Sequence, residues 1–171
     1  MAGAAVAIVL AVGGSSEPVE PAEANLAPCG AEGGVGASPA DWRRATATAG
    51  PLAIVPGSLQ TATRAGDGQF HARLRVFVGG HHFVVLSVPL DLRDRVFLYY
   101  GQVVDDRGRK PGSLFGAPGY AETEFQPCRH EPGTVWSGGI RVIGEGPVRL
   151  LVTVEGRPTS TPLVLGRPGS T

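Results

Sequence analysis

Phe70-His71-Ala72-Arg73-Leu74-Arg75-Val76-Phe77-Val78 alternates without a break. Phe70, Ala72, Leu74, Val76 and Val78 make one row, and His71, Arg73, Arg75 and Phe77 make the other. Successive side chains of an extended chain point to opposite faces, so this stretch reads as a half-buried strand. Gly79-Gly80-His81 reads as a turn. Beyond it, His82, Val84, Leu86 and Val88 alternate with Phe83, Val85 and Ser87. A three-residue hairpin loop with a Gly-mediated bulge places Leu74, Val76, Val78, Val84, Leu86 and Val88 on one face. A two-residue loop shifts the register and mixes Arg73 and Arg75 with Val84 and Leu86. The three-residue hairpin is therefore expected.

The same signal continues outward in both directions. Upstream, Leu52 to Val55 is a short apolar strand stopped by Pro56-Gly57, and Leu59 to Arg64 is a second candidate. Ser38-Pro39-Ala40-Asp41 has the form of a helix start, with a capping Ser, Pro at the first helical position and Asp in the first turn. Gly50-Pro51 keeps any such helix short. Downstream, Val96 to Val104 is apolar or aromatic on both faces, which suggests a central strand covered on both sides. Glu122 to Gln126 directs Thr123 and Phe125 inward. Trp136 to Val142 and Val148 to Glu155 follow, the latter with Val148, Leu150, Val152 and Val154 on one face. Pro162-Leu163-Val164-Leu165 closes the series. About eight or nine short strands separated by Gly/Pro turns define an all-β chain. The expected architecture is an antiparallel β-sandwich, immunoglobulin-like or jelly-roll-like, with at most one short helix near 38–46. Strand–helix alternation, the mark of a parallel sheet, is absent.

Composition narrows the function. The 171 residues hold fifteen basic and fifteen acidic side chains, a net charge of zero. Nucleic-acid binding calls for a basic excess, so no nucleic-acid partner is expected. Fourteen of the fifteen basic residues are Arg, and Gly, Pro, Ala and Val abound, a composition typical of a high-GC genome. No cofactor is expected.

Residues 1–24 read as an apolar signal-like segment and an acidic, Pro-rich linker, followed by one domain over 25–168 and a tail at 169–171. A helix over Ala4 to Val12 would rise ~14 Å, short of the ~30 Å of a bilayer core. That length suits the h-region of an export signal, although no Lys or Arg precedes it. Cys29 and Cys128 are the only cysteines. In a chain with export features they are expected to form one disulfide closing a long loop. A metal site is the weaker reading, because neither belongs to a Cys-x-x-Cys pair and only His130 lies near one.

A resemblance rests on the order of several short motifs. They are Gly50-Pro51-Leu52, Val85-Leu86-Ser87-Val88-Pro89, Phe97-Leu98-Tyr99-Tyr100-Gly101, Phe125-x-x-Cys128, Trp136-x-Gly138-Gly139 and Val148-x-Leu150. Over about residues 48 to 168 the chain resembles a group of uncharacterised extracytoplasmic β-sandwich proteins of high-GC Gram-positive bacteria. The resemblance implies an exported sandwich and carries over no activity and no catalytic residue. It also implies a further cysteine pair near the last two strands, where this chain has Val148 and Ser170.

Candidates for chemistry are few. His71, His81 and His82 with Asp67 could suggest a metal, but an extended hairpin separates His71 from His81, and adjacent His81 and His82 point apart, so no metal site is expected. There is no Gly-x-Ser-x-Gly elbow, and Ser87 and Ser137 lack an orienting acid. Asp105-Asp106 and the pair Glu122 and Glu124 are the only neighbouring carboxylates with a conceivable glycosidase role, and both sets read as solvated. The glycines lack the Gly-Lys-Ser/Thr end of a phosphate-binding loop. Two binding surfaces stand out. One is the outward face of the hairpin, with His71, Arg73, Arg75, Phe77 and Phe83, unless an N-terminal segment around Trp42 covers it. The other is the loop with Asp105, Asp106, Arg107 and Arg109, because long loops on sandwiches often carry recognition. The chain is thus expected to be an exported, non-enzymatic binding or structural module whose partner is a cell-envelope protein or glycan. The alternatives are a small extracytoplasmic hydrolase, or a carbohydrate-binding module with Tyr99, Tyr100, Tyr120 or Trp136 as a stacking platform.

Overall fold

The computed structural model describes residues 24–30, 34–37, 40, 45, 47–101, 112–157 and 159–169. Among them are twelve strands. They are β1 (Asn25–Ala27), β2 (Val35–Gly36), β3 (Ala47–Ala49), β4 (Leu52–Val55), β5 (Thr63–Arg64), β6 (Gln69–Gly79), β7 (Val84–Ser87), β8 (Val96–Tyr99), β9 (Glu122–Phe125), β10 (Gly133–Ile143), β11 (Val148–Val154) and β12 (Thr161–Gly166). The excess over the expected eight or nine comes from strands of two or three residues, too short for a periodic signal. The expected helix near 38–46 falls outside the described residues except for Ala40 and Ala45.

The strands form two sheets packed face to face, an all-β sandwich. One sheet has the order β1-β9-β7-β11-β12. The other has the order β2-β10-β6-β4-β3, with β5 beside β4 along β6 and β8 beside β2 along β10. Its backbone is the antiparallel pair β6 and β10, matched residue for residue from Gly133 opposite Gly79 to Ile143 opposite Gln69. All pairs are antiparallel except β1 with β9, which run parallel.

The alternating residues of 70–88 reach the core as expected, but by a different path. Leu74, Val76, Val78, Val84, Leu86 and Val88 all belong to one buried cluster. They do not share a hairpin: β6 pairs with β10 and β4, while β7 pairs with β11 and β9. The chain crosses from one sheet to the other between Gly79 and Val84. Periodicity states which side chains face inward. It does not state whether two inward rows lie side by side in one sheet or face each other across the core. Facing rows bury the same apolar surface, so the pattern fits both.

From the seven-stranded sheet, Leu52, Ile54, Leu98, Trp136 and Ile140 enter the same cluster. From the other sheet come Phe125, Val148, Leu150, Val152 and Leu163. β8 is buried on both faces, as its apolar sequence predicts. It is not a central strand, however. Among the described residues it pairs with β10 on one side and meets a single bridge, Leu98 to Tyr120, on the other. Its outer residues Phe97 and Tyr99 are instead covered by Leu114, Phe115 and Ala117.

The two cysteines join where the chain changes sheets twice. β1 lies on β9 in one sheet and β2 on β10 in the other, so the chain changes sheets between Ala27 and Val35 and again between Phe125 and Gly133. The Cys29–Cys128 disulfide bridges these crossings, with the Cα atoms 5.1 Å apart. Trp136 packs beneath with its ring centroid 5.0 Å from that of Phe125. Its Nε1–H donates to the Pro28 carbonyl at 3.2 Å. The backbone N–H of Cys128 donates to Oγ1 of the fully buried Thr134 at 2.8 Å. Gly34 closes the corner because a Cβ there would overlap the side chains of Thr134 and Trp136.

Candidate functional site

The strongest candidate surface is the outer face of the seven-stranded sheet. Odd-numbered residues of β6 point there, and the register places Arg141 opposite His71, Gly139 opposite Arg73, Ser137 opposite Arg75 and Val135 opposite Phe77. This face has three zones. At one end Phe77 is 2% exposed, packed with Ala37 and Ala53 and flanked by Ala45, Val55 and Val135. The predicted patch therefore loses Phe77, which residues from the N-terminal part of the chain cover. Trp42 lies outside the described residues.

At the other end is an aromatic cluster. His71 stacks on Phe115 with centroids 4.3 Å apart and the planes at 21°. Phe115 meets Tyr99 edge-on at 5.2 Å. The Arg141 guanidinium sits 4.6 Å from the Phe97 centroid and 5.6 Å from that of Tyr99, the geometry of a cation–π contact. Burial, helped by the Arg141 charge, holds the His71 imidazole below its usual pKa of 6.5. The Tyr99 hydroxyl is pushed up to about 12 by burial, against an opposing pull from Arg141. Its O–H donates to the Ala117 carbonyl at 3.2 Å. His71 Nε2 is buried with no hydrogen-bond partner among the described residues.

Between the covered ends runs an open groove of about 660 Å³ lined by Val55, Pro56, Arg73, Arg75, Leu114 and Ser137. Arg73 and Arg75 are exposed. No described acidic residue lines the groove. Gly138 of β10 is part of the lining, and Gly139 follows it beneath the Phe115 ring. A Cβ at Gly138 would overlap the Tyr100 ring and the Tyr99 carbonyl, and one at Gly139 would overlap the Ala72 carbonyl and the Phe115 ring.

Phe83 is separated from the rest of the predicted patch. It precedes β7 in the other sheet and lines a groove of about 460 Å³ beside the disulfide, with Pro28, His81, Gln126, Pro127 and Arg129. Asp105, Asp106, Arg107 and Arg109 lie outside the described residues. Of the aromatics considered for a stacking platform, Tyr99, Tyr100 and Trp136 are each at most 1% exposed and pack in the interior, while Tyr120 is half-buried. Among the described residues no three His, Cys, Asp or Glu side chains are grouped to hold a metal ion. His130 and Ser137 are exposed, and no side-chain hydrogen bond joins them.

Sequence reading missed the covering segment Leu114–Ala117 and the role of Arg141. Leu114-Phe115 was visible as an apolar pair within a glycine-rich loop. Its seat on Tyr99 and His71 depends on the β6–β10 register, which no local pattern states.

Comparison with family models, curated proteins and solved structures found no match to this chain.

Proposed function

We propose that the chain is an exported β-sandwich module of the cell envelope that acts by binding rather than by catalysis. The observation that carries this reading is the Cys29–Cys128 disulfide, which uses every cysteine in the sequence. A structural disulfide is stable in an oxidising compartment and rare in a reducing one. No described helix is long and apolar enough to cross a membrane. The resemblance to extracytoplasmic proteins of high-GC Gram-positive bacteria and the signal-like residues 1–24 support the same reading. Support for binding comes from the outer-face groove, which presents two exposed arginines and, among the described residues, no nucleophile–base pair.

The test is the intact mass of the protein from its native cells, with and without reduction and thiol alkylation. The reading expects a shortened N-terminus and two alkylated cysteines only after reduction. A full-length chain with both thiols free would sink it.

A further inference from the structure

We propose that the outer-face groove of the seven-stranded sheet binds an acidic glycan through Arg73 and Arg75; this rests on the binding-module reading above. The two arginines are two residues apart on one strand and face the same way. At 3.2–3.4 Å per residue their Cα atoms stand about 7 Å apart along β6. Each faces a small residue across the ladder, Gly139 for Arg73 and Ser137 for Arg75, so no neighbour on β10 shields the guanidinium groups. On the other side Val55 stands opposite Arg75 as the last residue of β4, and β5 resumes at Thr63 opposite His71. The sheet therefore leaves a gap beside Arg73, and the groove opens there.

Charge selects the occupant. The chain has as many acidic as basic residues, yet none of the described acids lines this groove. An ion pair on the surface, Arg149 with Asp91, lies elsewhere. Two guanidinium groups in a row suit two oxyanions spaced along a linear ligand, each held by paired N–H donors. The apolar content argues against a protein partner. Protein interfaces are anchored by buried aromatic or large aliphatic side chains. The exposed large hydrophobic residues among the described ones are Leu26, Val35, Phe83, Leu90, Ile143 and Val164, and none lines the groove. A neutral sugar is disfavoured too, because none of the described residues lining the groove is aromatic, which leaves no plane among them on which a ring could stack. Val55, Pro56 and Leu114 supply low apolar walls for the C–H edges of a glycan whose charges are read by the arginines. The oxyanions are carboxylate or phosphate, chemistry that uronate polymers and polyol-phosphate polymers share.

The experiment is titration calorimetry of the full disulfide-bonded protein with three probes: trigalacturonate, a glycerol-phosphate oligomer and neutral maltotriose. The expected result is binding of at least one anionic oligomer and not of maltotriose, weakened by added salt. The Arg73→Gln/Arg75→Gln variant should lose at least tenfold in affinity, with Arg157→Gln, an exposed arginine outside the groove, unchanged. Whichever anionic oligomer binds identifies the source of the oxyanion. Both substitutions are on exposed side chains, and a matching melting temperature establishes that the variant is folded. Unchanged affinity in the double variant overturns the assignment to this groove. Failure of both anionic oligomers to bind, or equal binding of maltotriose, overturns the ligand class. The mass measurement on the native protein decides export separately, so the two failures are distinguishable.

Discussion

Gly138 shows how tightly single positions are determined. Its hydrogen fits where a methyl group would meet the Tyr100 ring and the Tyr99 carbonyl together. One of these is backbone and cannot swing away. Gly138→Ala is therefore expected to cost about 1–3 kcal/mol, the usual range for overpacking, measured by urea denaturation. His71 governs a different property. Burial and Arg141 disfavour its protonated form in the folded state. Below pH 6.5 the unfolded chain takes up a proton that the folded chain resists. The stability associated with neutral His71 is thus complete above pH 6.5 and is lost as pH falls through the lowered folded value. Melting curves from pH 7.5 to 5 should show this decline, and His71→Phe, which keeps the stack on Phe115, should flatten it. The sequence placed His71 on the outward row correctly. The aromatic ring that desolvates it comes from Phe115, and that contact is set by tertiary packing alone.

Legibility differed sharply between elements. β6, β7 and β11 announced their inward rows by alternation, and every inward residue read from them is buried, with Phe77 of the outward row buried as well. The partner of each strand was hidden. Gly79-Gly80-His81 has the residues of a hairpin turn, and the same residues serve a crossing between sheets. β1 and β2 were invisible, since two or three residues carry no period and lie in a Gly/Ala-rich stretch. They are strands because β9 and β10 supply partners and because the disulfide holds them there. Their dependence on that bond is measurable. Reducing the protein, or replacing both cysteines by Ser, releases a loop closed over a sequence separation of 99 residues. The chain-entropy treatment assigns such a closure about 4–5 kcal/mol. Hydrogen exchange should show β1 losing protection first, read at the Gln126 N–H that bonds to the Ala27 carbonyl. The β6–β10 ladder should keep its protection under the same conditions. Equal loss in both elements would mean that the staple supports the whole sandwich rather than its N-terminal edge.

At the scale of the whole molecule, one interior joins both sheets, and both ends of the described chain pack onto it. β1 is fixed on β9, and Gly169 donates to the Leu59 carbonyl at 3.2 Å. The all-β sandwich was legible because strand content and face assignment are local properties. The candidate surface was legible only in half: Arg73 and Arg75 were read as outward and are exposed, but the covering of Phe77 and the removal of Phe83 to the other sheet follow from topology. The bridged pair of crossings also sets how the protein carries mechanical load. If it is pulled by its two ends, tension can peel β1 from β9 and then reaches Cys29. There it passes through the sulfur–sulfur bond directly to Cys128, and the chain between the cysteines bears no pull. In a force-extension experiment that segment should stay folded or slack, and the stretched length should fall short of the full chain by about 3.3–3.6 Å for each shielded residue. With reductant present the missing length should return. A sandwich built this way lengthens only through the residues before Cys29 and after Cys128, and its covalent short cut caps how far it can be drawn out.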